Sequence, residues 1–293
     1  MTAAAFTAPK PSEGGLRLDH ETGRAATLST DRGVLLRYVY APATPPGEAP
    51  RPYAHPVNSL AGDTLTNFRP NDHPWHHGLS LTLASVGGVN FWGGPTYRPA
   101  DGYRWRDDHG EQIHQAWLEL APAGLKHTLA WRAARTGEVL LIETRSLSFA
   151  IAGENWTLDW ESDLVNATGR ALVLEHYHAA GLAGSHYTGL QFRGARGFLD
   201  EHGDDAIRLC SEGGHQGEAA VHGTPARWME WHGQMDESLR RVTIRFENPG
   251  GPLPWFARRG YPLAAFCPRL GSGPSLAPGE SLALRHRLSF LLP

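Results

Sequence analysis

The sequence predicts an all-β protein built as a large antiparallel β-sandwich. Three observations lead to this prediction: apolar and polar residues alternate in many segments, helical periodicity is nearly absent, and glycine- and proline-rich stretches separate the segments. Short strands at regular spacing with turn signals between them are typical of antiparallel sandwiches. We therefore expect packed sheets with little helix.

Several segments show the alternation clearly, and each is expected to form a strand. They read GVLLRYVYA, GLSLTLASV, EVLLIETRSLSFAI, NWTLDWESDLVNAT, ALVLEHYHAA, RRVTIRFENPG and SLALRHRLSFLL. The stretches APATPPGEAPRP, GGPTYRPADG and LGSGPSLAPGE lie between them and are rich in turn-forming residues. The strands therefore extend over nearly the whole chain, as a large sandwich requires.

The domain organisation follows from what the sequence lacks. The chain has 293 residues, with no internal repeat at a fixed period and no linker flanked by a composition shift. We expect residues 1–15 to form a flexible tail and residues 16–293 a single domain. The tail lacks the pattern of a secretory signal, and Cys210 and Cys267 have no Cys-x-x-Cys partner. A cytoplasmic protein with two reduced thiols is expected.

Composition narrows the class of ligand. The formal net charge is −3 without a long charged run, so the chain lacks the basic surface of a nucleic-acid-binding protein. Its apolar stretches are too short to span a membrane, so no membrane partner is expected. Sixteen histidines and ten tryptophans are the unusual components. Histidine changes charge near neutral pH, and an indole offers a flat face to a sugar ring, so a small-molecule sugar substrate is expected.

The densest group of candidate site residues lies in RPNDHPWHHGLSL, residues 69–81. His73, His76 and His77 fall within five residues of one another, and Asp72 precedes them. Imidazoles supply an acid and a base near neutral pH without unusual burial. Asp72 is suited to cap the turn or to orient one of the rings. The motif therefore predicts a functional site on a loop.

Strand parity assigns different roles to the histidines of this motif. Neighbours in an extended chain point to opposite faces, so at most one of His76 and His77 should reach a ligand. In an extended chain, His77 points to the same side as Leu79 and the leucines after it, which we assign to the core. We therefore predict that His77 braces the loop through a backbone or Asp72 hydrogen bond. His73 and His76 then form the reactive pair.

The segment ALVLEHYHAA predicts a second part of the same site. Leu172, Leu174, His176 and His178 share one face of an extended strand, so a core strand would lead into a polar cleft. His178 is expected to act in catalysis with the first histidine group. His176 is expected to bind the substrate in the same concave cleft.

Other segments supply candidate binding residues. In RPYAHPV, Arg51, Tyr53 and His55 alternate onto one face, and an arginine can donate two hydrogen bonds to a sugar oxygen or carboxylate. In GGVNFWGG, Trp92 can lie against a ligand, although a hairpin with two core aromatic residues explains the motif as well. The remaining candidates are His114, in IHQAWLEL, and Glu247, in RFENPG, which is the best candidate for a carboxylate base.

A metal is one alternative for the histidine motif. The spacing of His73 and His76 can present two imidazoles to one ion, with His178 or His55 as a third ligand. The sequence lacks an H-E-x-x-H motif. We therefore expect no metal and no other cofactor.

The motifs resemble those of a known family. RPYAHPV, DHPWHHGLSL and GVNFWGG occur in the order and spacing of the PmoA-like bacterial proteins, whose usual forms are RPY-x-x-PV, DHPHHRGLW and GVDFW. HQAWLEL, VLLIETRSLSF and LAPGESLALRHRLSF extend the resemblance, which covers the chain from about Arg51 onward. Two departures are that Gly78 follows the histidine pair where arginine is common, and that Trp75 replaces a frequent histidine.

The resemblance implies a galactose-mutarotase-like supersandwich, in which histidines and a carboxylate in an open cleft act on sugars. It does not imply the methane oxygenase activity in the family's name, because the sequence offers no transmembrane helix. We expect a carbohydrate-active enzyme with histidine acid–base chemistry, working as an epimerase, a lyase or a glycoside-cleaving enzyme. The alternatives are a non-catalytic carbohydrate-binding or sensing protein and a metal-dependent enzyme with a histidine-rich site. The sugar, the reaction and the oligomeric state stay open.

Overall fold

The computed structural model describes residues 15–200, 207–268 and 275–293, so the expected tail lies almost wholly outside the described residues. A 3-10 turn spans Pro46–Glu48, and the only α-helix among the described residues is α1, Glu218–Val221. The strands are β1 Arg17–Glu21, β2 Ala25–Thr30, β3 Gly33–Val39, β4 Tyr53–Val57, β5 Leu79–Leu83, β6 Ser85–Val86, β7 Thr96–Arg98, β8 Gly102–Arg104, β9 Gly110–Ala121, β10 Gly124–Ala133, β11 Val139–Ala152, β12 Asn155–Asn166, β13 Leu172–Glu175, β14 Thr188–Arg193, β15 Phe198–Leu199, β16 Arg208–Ser211, β17 His215–Gln216, β18 Pro225–Ala226, β19 Trp228–Met235, β20 Arg241–Glu247, β21 Leu253–Arg258, β22 Leu263–Phe266, β23 Ser275–Leu276 and β24 Ser281–Leu291.

Two large antiparallel sheets contain most of the strands. The nine-stranded sheet has the order β1-β2-β3-β4-β5-β14-β22-β21-β18. The ten-stranded sheet has the order β17-β16-β19-β20-β24-β12-β11-β10-β9, and its tenth strand, β15, pairs with β19 beside this path. Two small sheets, β23-β13-β6 and β7-β8, complete the architecture. The prediction of an all-β antiparallel fold is confirmed. Within the described ranges, no helix has the length and apolar character needed to cross a bilayer.

The core lies between the two large sheets. One continuous cluster of buried apolar side chains includes Leu79 and Leu190 of the nine-stranded sheet and Trp131 and Trp160 of the ten-stranded sheet. Because side chains alternate along a strand, each sheet also has an outer face that points away from this core. The outer faces are where the sandwich can present polar groups to a ligand.

The predicted strands form where alternation predicted them, with two exceptions. GLSLTLASV forms two strands, β5 and β6, which belong to different sheets, and the strand of ALVLEHYHAA is shorter than predicted. β13 ends at Glu175, and the backbone then turns instead of continuing as a strand through His178. Buried and exposed side chains therefore alternate within β13 but not in the residues after it. His176 and Tyr177 are both buried, whereas His178 is exposed.

A polar network joins the two sheets inside the core. The buried guanidinium of Arg145 donates to Glu143 at 2.7 and 2.8 Å and to the hydroxyl of Tyr38 at 3.0 Å. The same hydroxyl lies 2.9 Å from Nε2 of His127. Burial raises the pKa of Tyr38 to about 12. Tyr38 belongs to β3 and Arg145 to β11, so this network aligns one sheet on the other.

Removal of one member of this network should destabilise the fold. Arg145→Met leaves the Glu143 carboxylate buried without its cation, which costs about 3–5 kcal/mol of the free energy of unfolding. Denaturant unfolding measures this loss. The matched control is Arg170→Met, because Arg170 pairs with Glu138 at the surface, where both side chains are largely exposed. The control should keep the wild-type midpoint. Equal midpoints for Arg145→Met and the wild type would contradict the role of the network.

Candidate functional site

The histidine loop, residues 69–78, precedes β5 and is tightly curled. The amide of His73 donates to the carbonyl of Pro70 at 3.0 Å, and the amide of His76 donates to that of His73 at 2.9 Å. These two successive turns place the rings of His73 and His76 face to face, with centroids 4.8 Å apart. The structure thus brings together the two histidines that the sequence paired, although through a curled rather than an extended backbone.

His73 is the accessible member of the pair, and Asp72 orients it. Its Nδ1 lies 3.0 Å from Oδ2 of Asp72, and the side chain is 31% exposed. Arg193 and Arg196 also donate to this carboxylate, each at 3.1 Å. Burial alone would raise the pKa of Asp72, but the hydrogen bond from His73 and the Arg193 guanidinium hold it well below its usual value. The ionised Asp72 accepts a hydrogen bond from Nδ1–H, which leaves the lone pair on Nε2 of His73 available as a base.

His76 lies beneath His73 and is buried, with 1% of its surface exposed, whereas the sequence predicted an accessible reactive residue. Nη1 of Arg193 lies 3.3 Å from its Nδ1, and an arginine can only donate, so the ring proton is on Nε2. Burial and the nearby cationic groups lower the pKa of His76 well below its usual value. His76 is therefore a neutral hydrogen-bond donor at pH 7 and not a base.

His77 points to the other side of the loop and is fully buried, as parity predicts. Its partner is Glu48 and not Asp72: Nε2 of His77 lies 2.9 Å from Oε2 of Glu48. Arg69 donates to the same carboxylate at 2.7 and 3.0 Å. Burial lowers the pKa of His77 to about 4, so the ring is neutral at pH 7. His77 therefore stabilises the loop through its contact with Glu48, which belongs to the Pro46–Glu48 turn.

The prediction that Arg51 binds substrate is wrong. Its guanidinium is 0% exposed and donates to the carbonyls of Glu48, Ala49 and Trp75 at 2.8, 3.0 and 2.7 Å. It also donates to the hydroxyl of Ser80 at 3.2 Å. Arg51 therefore ties the Pro46–Glu48 turn, the histidine loop and β5 together. Such a role is not visible in sequence, because most of the acceptors are backbone carbonyls of separate segments.

Tyr53 and His55 support the loop from behind and do not lie with His73. Tyr53 is nearly buried, and its ring stacks on Phe68 at 4.7 Å. Nδ1 of His55 lies 2.9 Å from the hydroxyl of Thr66, and its ring also stacks on Phe68, at 5.6 Å. Phe68 in turn packs against His77 at 5.4 Å. These contacts assign both residues to the packing of the loop.

Trp92 is a core residue, which agrees with the alternative explanation of its motif. Its side chain is 2% exposed, and its ring contacts those of His76 and Tyr187 at 5.9 and 5.4 Å. Gly94 has a φ of +70°, and a Cβ there would lie 2.4 Å from the indole of Trp75. The glycines therefore make room for a neighbouring tryptophan and not for a ligand.

Two other tryptophans are closer to solvent beside His73. The ring of Trp75 lies 5.1 Å from that of His73 and 5.8 Å from that of Trp105, which is 62% exposed. Trp105 could not be recognised from the sequence, because it stands alone in a polar loop and has no motif around it. Its exposed indole lies against Trp75, which in turn contacts His73, and a sugar ring can stack on such a flat apolar surface.

A second histidine group contains His176, His178, His186 and His222. The ring centroids of His178 and His186 are 4.5 Å apart, those of His186 and His222 are 5.5 Å apart, and those of His176 and His178 are 5.9 Å apart. The amide of Gly184 donates to Nδ1 of His178 at 3.0 Å, which places the ring proton of neutral His178 on Nε2. His186 and His222 were missed, because each lies in a segment without a histidine pattern.

Ring contacts connect the two histidine groups along the outer face of the nine-stranded sheet. Trp92 contacts His76, and the ring of Tyr187 lies 5.4 Å from Trp92 and 4.9 Å from Phe256. Phe256 in turn lies 5.2 Å from His222. These contacts run through buried side chains, because Trp92 and Phe256 are 2% and 0% exposed, so the placement of the DHPWHH and HYH motifs in one cleft stays a prediction. We call the region between the two groups the candidate site.

The strands below the candidate site carry buried polar atoms. The leucines of β5 fill the core, so Thr82 lies on the outer face, as do Gln191 and Arg193 of β14. The hydroxyl of Thr82, both amide atoms of Gln191, Nε of Arg193 and Nε2 of His76 are buried without a hydrogen bond to any described residue. Buried polar atoms ordinarily have partners. These atoms form the polar floor of the candidate site, which is therefore suited to a ligand rich in hydroxyl groups.

Two further predicted residues lie elsewhere. Nδ1 of His114 lies 2.9 Å from that of His127, in the network between the sheets, so the assignment of His114 to the site is wrong. Glu247 lies on the outer face of the ten-stranded sheet, 3.2 Å from Nε of Arg245, so it does not face the histidine loop. The carboxylate beside the histidines is Asp72. The sequence could not place Glu247, because its sheet partners are far along the chain.

The His73–His76 metal alternative is not favoured by the donor atoms. Nδ1 of His73 is occupied by Asp72, and the positively charged Arg193 donates to Nδ1 of His76. Among residues 15–200, 207–268 and 275–293, no third histidine, cysteine or carboxylate completes a set of metal ligands with these two. A cation at this point would also approach the guanidinium of Arg193.

The comparison of Gly78 with a family arginine is also corrected by the structure. Gly78 has a φ of +51°, and a Cβ there would lie 2.3 Å from the carbonyl oxygen of Ala54. Only glycine fits this backbone. An ungapped alignment of DHPWHHGLS with DHPHHRGLW pairs Gly78 with the glycine and His77 with the arginine. The departure from the pattern therefore lies at His77, and Gly78 conforms to it.

These features define an all-β sandwich protein with a histidine-lined polar site on an outer sheet face. The chain belongs to the family of unknown function DUF6807, whose model matches residues 25–291. No curated protein matches the chain.

Several solved structures are similar to this one at low identity. A galactose mutarotase-like protein from Lactobacillus casei is 9% identical over 94% of this chain and 100% of its own, with a TM-score of 0.41. One from Clostridium acetobutylicum is 10% identical over 96% of this chain and 99% of its own, with a TM-score of 0.38. A polysaccharide lyase is 9% identical over 97% of this chain but only 33% of its own, also with a TM-score of 0.38.

Acid should destabilise the protein between about pH 6.5 and pH 4.5. Burial lowers the pKa of His55 and of His77 to about 4, whereas in the unfolded chain both groups bind protons near pH 6.5. As the pH falls through this window, the unfolded state binds protons that the folded state does not. Each such histidine removes up to about 1.4 kcal/mol of stability per pH unit.

Denaturant unfolding at pH 7 and pH 4.5 measures this dependence. The variant His55→Gln should lose less stability between the two pH values than the wild type does. A wild-type stability that is unchanged across the window would contradict the burial of neutral histidines.

Proposed function

We propose that the protein is a carbohydrate-active enzyme that moves protons at a sugar or keto-sugar with histidine side chains. The observation that carries the proposal is the Asp72–His73 pair, in which an ionised carboxylate orients a half-exposed imidazole next to a polar floor. The resemblance to PmoA-like proteins and to the galactose-mutarotase type of supersandwich supports the sugar as substrate. A single domain of residues 16–293 belongs to the same proposal. So does a cytoplasmic location, which the two free thiols Cys210 and Cys267 support.

His73 is the base of the proposed reaction. Asp72 accepts a hydrogen bond from Nδ1–H, so the lone pair of the neutral ring is on Nε2, away from Asp72. A positioned base of this kind accelerates proton transfer by about 10²–10⁴-fold. His76 stacks beneath the ring of His73 and holds it in place without taking part in proton transfer.

His178 is the acid of the proposed reaction. Its Nδ1 accepts a hydrogen bond from the amide of Gly184, so neutral His178 carries its proton on Nε2. The side chain is exposed, in contrast to the buried His176. In the neutral forms, Nε2 of His73 therefore carries a lone pair that can accept a proton, whereas Nε2 of His178 carries a proton that it can donate.

The arrangement of carboxylates favours some reactions over others. Glycoside cleavage by the usual route needs two carboxyl groups, one of them protonated. Asp72 is held ionised by its hydrogen bonds, and no second carboxylate is hydrogen-bonded to the described histidines His73, His76 or His178. Epimerisation and mutarotation need one imidazole to remove a proton and a second to supply one, and elimination needs the second imidazole to protonate the oxygen that leaves. We therefore place isomerase or lyase chemistry ahead of hydrolysis.

The second candidate is a non-catalytic carbohydrate-binding or sensing protein. Its support is the burial of His76 and His77, which explains part of the histidine density by loop packing instead of chemistry. The exposed Trp105 would serve binding as well as catalysis. Turnover separates the two candidates, because a binding protein would leave the sugar unchanged.

Replacement of the base should abolish turnover without unfolding the protein. A panel of sugars and keto-sugars, followed by nuclear magnetic resonance for anomeric exchange, epimerisation and elimination, identifies the substrate. On that substrate His73→Gln should lower kcat at least about 100-fold. Thermal stability should change little, because the side chain is only partly buried. The matched control is His215→Gln, in β17, which should keep wild-type activity.

The outcomes of this experiment are distinct. Wild-type activity in His73→Gln would contradict the assigned base. If the wild type binds a sugar of the panel but converts none, the binding protein is the correct candidate. If it neither binds nor converts any of them, both candidates fail.

Loss of the exposed indole should weaken sugar binding. Trp105→Ala removes a stacking surface near His73 and is expected to raise the Kd about tenfold, as measured by calorimetry, because one aromatic contact contributes about 0.5–1.5 kcal/mol beyond its area. Leu118→Ala, which truncates another exposed apolar side chain on β9, is the matched control and should leave the Kd unchanged. Equal effects of the two variants would show that the sugar binds elsewhere.

A further inference from the structure

A group of three potential metal ligands lies on the outer face of the ten-stranded sheet. Cys210 of β16 pairs directly with Glu230 of β19, and His232 follows Glu230 two residues later on the same face. The intervening Trp231 is fully buried in the core, which fixes the direction of its neighbours. The candidate sugar site lies on the other large sheet, so this group is separate from it.

We propose that Cys210, Glu230 and His232 bind a zinc ion. Their ligand atoms all lie within 4.8 Å of one another. A thiolate, an imidazole and a carboxylate form a donor set that zinc accepts in proteins.

The separations of the ligand atoms match tetrahedral coordination. Zinc bonds of ordinary length at tetrahedral angles separate sulfur from nitrogen or oxygen by about 3.6 Å and nitrogen from oxygen by about 3.4 Å. Sγ of Cys210 lies 3.4 Å from Nε2 of His232 and 3.9 Å from Oε2 of Glu230. Nε2 of His232 and Oε2 of Glu230 are 3.1 Å apart. Shifts of a few tenths of an ångström suffice to enclose the ion.

Neighbouring side chains orient the ligands toward one point. Nδ1 of His232 lies 3.0 Å from the hydroxyl of Thr243, its cross-strand partner, which leaves Nε2 to face the thiol. Nη1 of Arg245 donates to Oε1 of Glu230 at 2.6 Å, so Oε2 faces the same point. Support of the second ring nitrogen by a neighbouring group is characteristic of metal-binding histidines.

Among residues 15–200, 207–268 and 275–293, the three protein ligands leave the fourth position of a tetrahedral ion open. Glu230 and His232 line a cavity of about 600 Å³ whose wall also carries Arg208, Arg241 and Arg259. Catalytic zinc ions keep such a position for water or substrate, whereas structural zinc ions are closed by four protein ligands. The geometry therefore assigns an open zinc site, with water or an anion from the cavity as the fourth ligand.

Cobalt(II) is the probe that tests this proposal, because a thiolate bound to cobalt gives a charge-transfer band in the near ultraviolet. The full chain is freed of metal with a chelator and titrated with cobalt. We expect one equivalent to bind, with the charge-transfer band and the intense visible bands of tetrahedral cobalt. Zinc should then displace the cobalt and bleach both.

The variants locate the ion. Cys210→Ser should lose the charge-transfer band, and Thr243→Val, which keeps all three ligands, should weaken cobalt binding by about 10–100-fold. Thr243→Val also serves as the test if Cys210→Ser does not fold. Cys267→Ala and His73→Gln are the matched controls and should keep the band.

The outcomes that overturn the proposal are specific. They are no saturable cobalt binding by the wild type, binding without a charge-transfer band, or a band that persists in Cys210→Ser. A band that is lost in His73→Gln would place the ion at the histidine loop and would also overturn the proposal. Only the last of these outcomes concerns His73, and the other three leave the sugar chemistry there untouched, so the zinc proposal can fail without the sugar proposal.

Discussion

The candidate site depends on one buried cation, the guanidinium of Arg51. It has no contact with solvent and donates four hydrogen bonds, to the Pro46–Glu48 turn, to the histidine loop and to β5. Burial lowers its pKa to about 9, so it is still protonated at neutral pH. Burying a charge is costly, and these hydrogen bonds together with the nearby Glu48 carboxylate offset the cost. The turn thereby places Glu48 where it contacts Arg69 and His77. The histidine loop is fixed in turn, with Asp72 and His73 toward the candidate site.

Much of the fold could be predicted from local pattern. A strand with one face in the core alternates with a period of two, and that pattern depends on adjacent residues alone. The same parity correctly predicted the burial of His77, because the ring continues the face of Leu79. It failed at His76, where Pro70 and Pro74 accompany a curled backbone, and after Glu175, where β13 ends earlier than the alternation.

The rest of the site could not be predicted, because its contacts join distant segments. The acceptors around Arg51 are mainly backbone carbonyls, and no residue type in the sequence marks a carbonyl as a partner. His186 joins the site only because the turn after β13 brings His178 against it. Trp105 reaches the histidine loop through a contact with Trp75, 30 positions earlier in the chain. Long-range assembly, and not residue type, therefore separates site residues from packing residues among sixteen histidines.

The central claim is that His73, oriented by Asp72, meets a sugar on the outer face of the nine-stranded sheet. A crystal structure of the protein with a bound sugar tests this claim most directly. We expect a sugar between the two histidine groups, with Nε2 of His73 within hydrogen-bond distance of the sugar and Nδ1 still hydrogen-bonded to Asp72. A sugar bound on the outer face of the ten-stranded sheet, or one that leaves His73 without contact, would contradict the account.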